Sequence, residues 1–313
     1  VMKDITNTIL DEFRGKFLEK ESNIVAMNAT TSNGIEKSAL NCFELREINH
    51  QFSISIPTGD ITNQKQSGRC WMFAGLNFLR LEVMKNLNMK TIELSQSYPL
   101  FYDKLEKSNY FLENIIETKD EDLDSRYVQF LLKDPLQDGG QWDMFKSLVK
   151  KYGVVPKDVM PEVVSSSATK EMDRYLTLKL REFARDIRND KNLSLAELRE
   201  KKKGMLDEVY RILSICLGTP PQSFDFEYRD KDDRFFKINN ITPVEFFEKY
   251  VKVNLDDYVS VINAPTDDKP FGRCFTVKFL GNVVDGSPVN YLNLPIGDLK
   301  MLAIKQMKDN VPV

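Results

Sequence analysis

Hydrophobic residues over the first two thirds of the chain recur mostly at three- or four-residue steps, which predicts helices that are buried on one face. The clearest helix begins at Cys70 and carries apolar residues at this spacing as far as Leu87. The other predicted helices cover residues 1–21, 95–117, 125–133 and 141–151, with two long charged helices within 169–217. Residues 22–49 mix small polar residues with few apolar ones, so they predict an irregular surface segment.

The last third of the chain changes to alternating apolar and polar residues, the pattern of strands with one buried face. This alternation is found at 224–228, 275–279 and 289–292, and a short separate strand is predicted at 52–56. The chain is therefore predicted to be α+β. In this prediction the parts are a helical lobe at 1–164, a helical insertion at 165–235 and the first part of a β-rich lobe at 236–313.

Composition and charge exclude several classes of protein. The 44 basic residues nearly balance the 47 acidic ones, for a net charge of −3, so no strong field attracts nucleic acid or an anionic membrane. The run Lys201–Lys203 follows acidic residues on a predicted helix and is typical of a solvated face. No apolar run is long enough to cross a bilayer. One histidine and four scattered cysteines without a C-x-x-C pair predict neither a metal site nor a cofactor.

The segment Gln64–Ala74 concentrates residues that could carry out chemistry. A free cysteine is most often a small buried side chain, and this alternative applies to Cys70 as well. However, Cys70 begins a predicted helix, where unpaired amides and the helix dipole favour a thiolate, and Gly68 allows a tight approach of the loop. Gln64 lies six residues earlier and could donate its amide to an oxyanion together with the Cys70 N–H. The sequence therefore predicts a cysteine nucleophile beside an oxyanion site.

This segment resembles the active-site region of papain-like cysteine peptidases, in which an oxyanion glutamine precedes the nucleophile by six residues. The branch that the chain resembles is that of the bleomycin hydrolases and bacterial aminopeptidases C. Further segments that carry the resemblance lie between the first helix and the last residues, at 94–96, 103–107, 110–113, 138–143, 152–156, 281–284 and 291–295.

The resemblance implies a papain-like cysteine peptidase fold with a helical lobe that bears the cysteine, a helical insertion and an incomplete β-barrel lobe. It also implies thiol-dependent peptide hydrolysis, in which Cys70 forms a thioester with the substrate and Gln64 stabilises the oxyanion. Gly139 and Gly140 would line the substrate cleft, where glycine backbone groups can pair with an extended peptide. Taken alone, such a glycine pair is most often a turn.

The resemblance further implies a homohexamer that acts as an aminopeptidase on peptides with free N-termini. A C-terminal arm restricts the cleft in the family, and the resemblance predicts that this chain lacks the arm. Ser67 and Gln137 occupy the positions of a disulfide found in the secreted papain-type enzymes. The loss of both cysteines, beside scattered thiols, predicts a cytoplasmic protein.

The catalytic base of the family is a histidine that lies downstream of the cysteine and is oriented by an asparagine. The one histidine of this chain, His50, precedes Cys70 by twenty residues. The chain is therefore predicted to be a C-terminally truncated member with little activity alone. The alternative is a non-catalytic protein that binds peptides or assembles with full-length subunits.

Overall fold

Helices make up most of the structure as far as Leu217, and short strands follow. The computed structural model describes residues 4–313 and divides into two compact units, with the boundary between Ser55 and Ile56. Within the described residues, the helices of the first unit are α1 (Asn7–Leu18), α2 (Glu21–Asn33), α3 (Ile35–Ser38) and α4 (Cys42–Glu47).

The first unit confirms one prediction and corrects two. The predicted first helix forms over Asn7–Leu18, while residues 1–3 of its predicted span lie outside the described residues. The irregular segment predicted at 22–49 is wrong, because most of it forms α2, α3 and α4. No residue from 4 to 55 is buried, so a pattern that marks a buried face could not predict α2, α3 and α4. The strand predicted at 52–56 is also wrong, since it pairs with none of the described strands.

The second unit contains the helices that the hydrophobic period predicts. They are α5 (Cys70–Asn86), α6 (Ser97–Glu117), α7 (Arg126–Lys133), α8 (Trp142–Tyr152), α10 (Lys170–Asn189) and α11 (Leu195–Leu217). The short helix α9 (Val164–Ser167) also forms and was not predicted. The centre of the unit is α6, which packs against α8, α10 and α11. Close packing of α5 on α8 depends on Gly75, where a Cβ would lie 2.6 Å from the ring of Phe145.

The two long charged helices form as predicted, and the sequence explains both their start and their packing. Ser194 and Glu197 cap α11 reciprocally, because the Ser194 N–H donates to Glu197 Oε2 at 2.8 Å and the Glu197 N–H donates to Ser194 Oγ at 3.3 Å. The buried face of α10 is made of residues at helical spacing, namely Met172, Leu176, Leu180, Phe183, Ala184 and Ile187.

The strands form two small sheets. One is the antiparallel hairpin of β1 (Phe224–Arg229) and β2 (Phe235–Ile241). The other has β5 (Tyr291–Asn293) between β3 (Val261–Ile262), which is parallel to it, and β4 (Cys274–Phe275), which is antiparallel. The helices that accompany the strands are α12 (Pro243–Phe246) and α13 (Ile296–Lys308).

The strand predictions are partly correct. The strand at 224–228 is confirmed, and that at 289–292 overlaps β5. The strand predicted at 275–279 reaches the sheet only over Cys274–Phe275. The strand β2 was not predicted, because Phe235 and Phe236 are adjacent aromatic residues and break the alternation. The predicted boundaries after residues 164 and 235 stay a prediction, and no helix within 4–313 has the length and hydrophobicity needed to cross a membrane.

A glycine at the end of α8 should be essential to the fold. Gly153 has a φ of 72° and a ψ of −158°, a region that is almost exclusive to glycine, and a Cβ there would lie 2.1 Å from the Pro243 carbonyl oxygen. Gly153→Ala should therefore lower the free energy of unfolding by about 3 kcal/mol or more, measured by urea denaturation.

Gly204 provides the matched control for this prediction. It lies inside α11 with open space around the position of a Cβ, so Gly204→Ala should stabilise the protein by up to about 1 kcal/mol. Equal effects of the two substitutions would contradict the packing described at Gly153.

Candidate active site

Cys70 is the first residue of α5, and its side chain is exposed although the inner face of the helix is buried. It ends the nucleophile loop, residues 64–70. Arg69 occupies the N-cap position of α5, and none of the described side chains caps the helix amides there. The first amides of a helix have no acceptor within it and attract negative charge. A thiolate or an oxyanion at Cys70 would therefore meet N–H donors that no side chain has taken up.

A buried ion pair fixes the start of α5. The Arg69 side chain is completely buried, and its two terminal nitrogens donate to the two carboxylate oxygens of Glu162 at 2.9 and 2.8 Å. Arg69 Nε donates to Ser67 Oγ at 2.8 Å, and the Ser67 hydroxyl donates to the Gln64 carbonyl at 2.7 Å. Burial alone would raise the pKa of Glu162, but the Arg69 guanidinium holds that pKa below its usual range. The contacts of the buried Arg69 side chain thus hold the nucleophile loop in place.

The predicted oxyanion donor and the predicted nucleophile lie at the two ends of this loop. Gln64 is half-buried, and the turn after it is made by Lys65, which has a φ of 52°. Positive φ is uncommon for residues other than glycine. The Lys65 N–H donates to Asn63 Oδ1 at 2.8 Å, which supports the turn. The structure brings Gln64 and Cys70 onto one loop, and their catalytic roles stay a prediction.

Asp138 connects the nucleophile loop to the cleft segment, residues 137–140. Asp138 Oδ2 accepts hydrogen bonds from the Gly68 N–H at 2.7 Å and from the Thr169 hydroxyl at 2.6 Å. The Asp138 carbonyl accepts from the indole N–H of Trp71 at 2.7 Å. A Cβ at Gly68 would lie 2.7 Å from the Cβ of Asp138, so this close approach requires glycine.

The two predicted cleft glycines differ in their surroundings. A Cβ at Gly140 would lie 2.5 Å from the ring of Trp71, whereas at Gly139 the nearest atom would be Gln137 Oε1 at 3.7 Å. Gly139 is exposed and Gly140 is half-buried. Packing therefore requires the glycine at 140, and the surface that an extended peptide could reach is at Gly139. Binding of substrate at either glycine stays a prediction.

Lys107 holds the cleft segment from inside the protein. Its ammonium donates to the carbonyls of Gln137 and Gly139 at 2.8 and 2.7 Å. Lys107 Nζ also lies 2.8 Å from Asp103 Oδ2 and 5.4 Å from the centre of the Trp71 ring. Burial lowers the pKa of Lys107. One buried ammonium thus binds two carbonyls of the segment on which the cleft glycines lie.

A second buried lysine, Lys104, binds two carboxyl groups. Lys104 Nζ lies 2.7 Å from Asp138 Oδ1 and 2.8 Å from Asp173 Oδ1 on α10. Burial alone would raise the pKa of Asp138, but Lys104 and hydrogen bonds hold it far below its usual range. Burial raises the pKa of Asp173 to about 7, and Asp138 contributes to this rise while Lys104 opposes it.

The structure also describes the histidine and the other cysteines of the chain. His50 belongs to the first compact unit, where it is exposed and follows α4. Cys42 and Cys274 are exposed, and burial raises the pKa of the partly buried Cys216 thiol. Within residues 4–313, no three His, Cys, Asp or Glu side chains form a group that could hold a metal ion.

Sequence reasoning missed the charged residues that support the site. Arg69 and Asp138 are adjacent to residues that were singled out, but nothing in the local pattern pairs them with Glu162 or Lys104. The segment 103–107 was noted only because it resembles the family. Four charges in five residues were the available signal, and they are ordinary on an exposed helix.

A long buried helix that begins at an exposed cysteine, in a chain that passes from helices to strands, defines the papain-like class of cysteine peptidases. The sequence profile described as the Peptidase C1-like family matches residues 4–313, and the chain belongs to that family. The resemblance found in the sequence and the α+β papain-like fold class are thereby confirmed.

Individual relatives agree with this assignment. A protein named Aminopeptidase C from Streptococcus thermophilus is 50% identical over 283 residues, which are 90% of this chain and 64% of the relative. An Aminopeptidase C from Listeria monocytogenes is 46% identical over 312 residues, which are 99% of this chain and 70% of the relative. The crystal structure of PepW from Lactobacillus rhamnosis HN001 matches with a TM-score of 0.96 and 49% identity, over 99% of this chain and 70% of that one. The chain spans about two thirds of the length of these relatives.

Replacing Glu162 should destabilise the protein strongly. Glu162→Gln leaves the buried charge of Arg69 without its carboxylate, and breaking a buried pair costs about 3–5 kcal/mol. The measurement is the free energy of unfolding in urea. The control is Glu171→Gln, whose pair with Arg174 is exposed and should contribute less than about 1 kcal/mol.

The cost of Glu162→Gln should also depend on pH. Folding lowers the pKa of Glu162, so its pair stabilises the protein fully above the ordinary glutamate pKa of about 4.3. This stabilisation is lost as the pH falls through the lower pKa of the folded state. The difference in stability between the wild type and Glu162→Gln should therefore shrink in acid, and a constant difference would contradict the assignment.

Proposed function

We propose that this protein hydrolyses peptides by thiol catalysis at Cys70, with the specificity of an aminopeptidase. The observation that carries the proposal is the exposed Cys70 at the uncapped start of α5, in a member of the Peptidase C1-like family. The name Aminopeptidase C of the relatives supports action at a free N-terminus. The comparisons give no support to a non-catalytic peptide-binding protein.

In the proposed reaction, the Cys70 thiolate attacks the carbonyl carbon of the scissile peptide bond. The Cys70 backbone N–H and the Gln64 side-chain amide donate hydrogen bonds to the oxyanion that forms. Collapse of the tetrahedral intermediate breaks the carbon–nitrogen bond, forms a thioester on Cys70 and releases the amine after it accepts a proton. Water then attacks the thioester, which releases the acid and restores the thiol.

The family protonates the leaving amine with a histidine that follows the cysteine in sequence, whereas the one histidine of this chain, His50, precedes Cys70. The proposal therefore requires the histidine and asparagine of the family from residues beyond these 313. Without them, the chain would lose the factor of about 10²–10⁴ that positioned proton transfer typically contributes.

The cleft segment supports binding of the substrate backbone in an extended form. Gly139 is exposed, and its carbonyl already accepts a hydrogen bond from Lys107. A bound peptide would therefore pair mainly with the Gly139 N–H and with the backbone of Gly140, in the manner of an added strand. The substrates proposed are peptides with free N-termini, and no cofactor is required by this chemistry.

The resemblance supports two further parts of the proposal, a homohexamer and a cytoplasmic location. Ser67 and Gln137 stand where secreted papain-type enzymes have a disulfide. Here the two segments are connected by the hydrogen bond of Gly68 to Asp138, which does not depend on an oxidising compartment.

Hydrolysis of an aminoacyl arylamide tests the proposed function. The proteins compared are this chain, a longer version that carries a downstream histidine, and the Cys70→Ala variant of that longer version. We expect the longer version to hydrolyse the substrate and the 313-residue chain to hydrolyse it very slowly. The Cys70→Ala variant should show no thiol-dependent hydrolysis. Full activity of Cys70→Ala would refute the proposal. Full activity of the 313-residue chain would make His50 the first residue to test as the catalytic base.

The role of Gln64 can be tested in the same longer version. Gln64→Ala should lower kcat by about 10²–10³, the usual effect of removing one oxyanion donor. The control is Gln66→Ala, because Gln66 is exposed and its backbone N–H donates to the Ser167 carbonyl, a contact that the substitution preserves. Equal losses for the two variants would contradict the assignment of Gln64.

Cys70 should react with a dilute alkylating agent before the other cysteines. Cys42 also begins a helix and is exposed, but the Asn41 side chain accepts hydrogen bonds from the first amides of α4. The start of α5 has no such cap, so its amides can stabilise a thiolate at Cys70. Peptide-resolved mass spectrometry measures the four rates, and faster labelling of Cys42 would contradict the prediction.

A further inference from the structure

A buried lysine lies behind the segment at which substrate binding is proposed. The Lys107 side chain is buried, and its ammonium donates hydrogen bonds to the carbonyls of Gln137 and Gly139 at 2.8 and 2.7 Å. The carbonyl between these two, that of Asp138, accepts a hydrogen bond from the indole N–H of Trp71 at 2.7 Å. Three consecutive carbonyls of the cleft segment therefore have partners on side chains of the same protein.

Binding of the Gly139 carbonyl fixes the direction of the next amide. The carbonyl of Gly139 and the N–H of Gly140 belong to one planar peptide group, and in a trans peptide the two point in opposite directions. The described chain contains no cis peptide bond. Because the Gly139 carbonyl points to the buried ammonium of Lys107, the Gly140 N–H points away from it. Among the hydrogen bonds within residues 4–313, none uses this N–H.

The charge of Lys107 also strengthens this donor. Hydrogen bonds in series polarise one another, and bonds that involve an ion are the stronger ones. An ammonium on the carbonyl oxygen of Gly139 draws electron density through the peptide bond. The N–H of Gly140 therefore becomes a stronger donor than the N–H of an ordinary peptide group.

Lys107 is itself held in place by its charge partner. Lys107 Nζ lies 2.8 Å from Oδ2 of Asp103, one turn earlier on α6. The other oxygen of this carboxylate, Oδ1, accepts a hydrogen bond from the Asn282 side chain at 3.0 Å. Asp103 and Asn282 are both buried. These contacts fix the ammonium between Asp103 and the cleft segment.

We propose that Lys107 is a positioning residue for substrate binding: it binds the Gly139 carbonyl from inside the protein and so presents the Gly140 N–H to a backbone carbonyl of the bound peptide. The inference rests on the proposed function, because it concerns the segment that would bind the peptide. Lys107 acts through Gly140 and touches no reacting atom. Its loss should weaken peptide binding and leave the reactivity of Cys70 unchanged.

Two alkylating reagents separate peptide binding from thiol reactivity in this chain. With iodoacetamide or an acetyl-dialanyl chloromethyl ketone, the Cys70 thiolate forms a bond to the methylene carbon, and iodide or chloride leaves. Only the chloromethyl ketone carries a peptide backbone that can pair with Gly140. In Lys107→Met, we expect the chloromethyl ketone concentration for half-maximal rate to rise about fivefold, the effect of about one hydrogen bond. The rate with iodoacetamide should stay the same.

Lys146→Met is the matched control for the loss of a buried lysine. Lys146 is also buried, and its ammonium lies 3.1 Å from Oδ1 of Asp143, three residues earlier on α8. The carbonyls of the cleft segment accept their hydrogen bonds from Lys107 and Trp71 instead. Lys146→Met should therefore keep the wild-type values with both reagents.

Hydrogen exchange tests the Gly140 donor in the unaltered protein, so it applies even where Lys107→Met fails to fold. The exchange rate of the Gly140 amide is compared between protein alkylated at Cys70 by the chloromethyl ketone and protein alkylated there by iodoacetamide. We expect exchange about fivefold slower, or more, with the peptide attached. The Phe145 amide donates to the Gln141 carbonyl and should exchange equally in both adducts.

Three results would overturn the inference. The first is an unchanged half-maximal concentration of the chloromethyl ketone in Lys107→Met. The second is an equal loss of rate with both reagents in that variant, which would indicate a general structural role. The third is equal exchange of the Gly140 amide in the two adducts. None of these measurements involves peptide hydrolysis, whereas the proposed function fails on the activity of Cys70→Ala, so the two failures are distinguishable.

Discussion

The carboxylate of Asp138 is the interaction on which the candidate site depends. Removing a carboxylate from water costs several kcal/mol unless charges and donors replace the solvent. Here the replacements are Lys104 on α6, the Gly68 amide and the hydroxyl of Thr169, directly before α10. These partners approach from three elements, so few positions of the carboxylate satisfy all of them. The requirement that Asp138 be satisfied therefore fixes the nucleophile loop relative to the cleft segment.

This carboxylate joins the two segments that a disulfide would join at Ser67 and Gln137, but the physical basis of the link differs. A disulfide acts largely by restricting the unfolded chain, and its strength depends on redox conditions. The hydrogen bonds of Asp138 act in the folded state and depend on burial and ionisation. This link therefore does not depend on thiol oxidation.

Helices with a buried face could be predicted from the sequence, but the charges that support the site could not. The hydrophobic period of α5 and α10 exists because one face of each is buried, and α2 lacks both the buried face and the period. Segment 103–107 has the composition of a solvated helix, yet its four charged residues are buried. The partners of such buried charges are distant in sequence, as in the Arg69–Glu162 pair, which is separated by 93 residues. Pairs of this kind produce no repeating pattern in the sequence. Cys70 and Gln64 were indicated by the start of a predicted helix and the loop before it, and the cleft glycines by the resemblance.

The start of α5 has no side-chain cap, which is also true of α6, α8 and α10. A side-chain cap typically stabilises a helix by about 1 kcal/mol, and Ser125 and Ser194 supply one to α7 and α11. At α5 a capping side chain would accept hydrogen bonds from the same amides that the proposed oxyanion needs. The start of this helix is instead held by Arg69, whose guanidinium points inward to Glu162 and leaves those amides unblocked. The contacts that stabilise the start of α5 therefore leave its amides available to the proposed oxyanion.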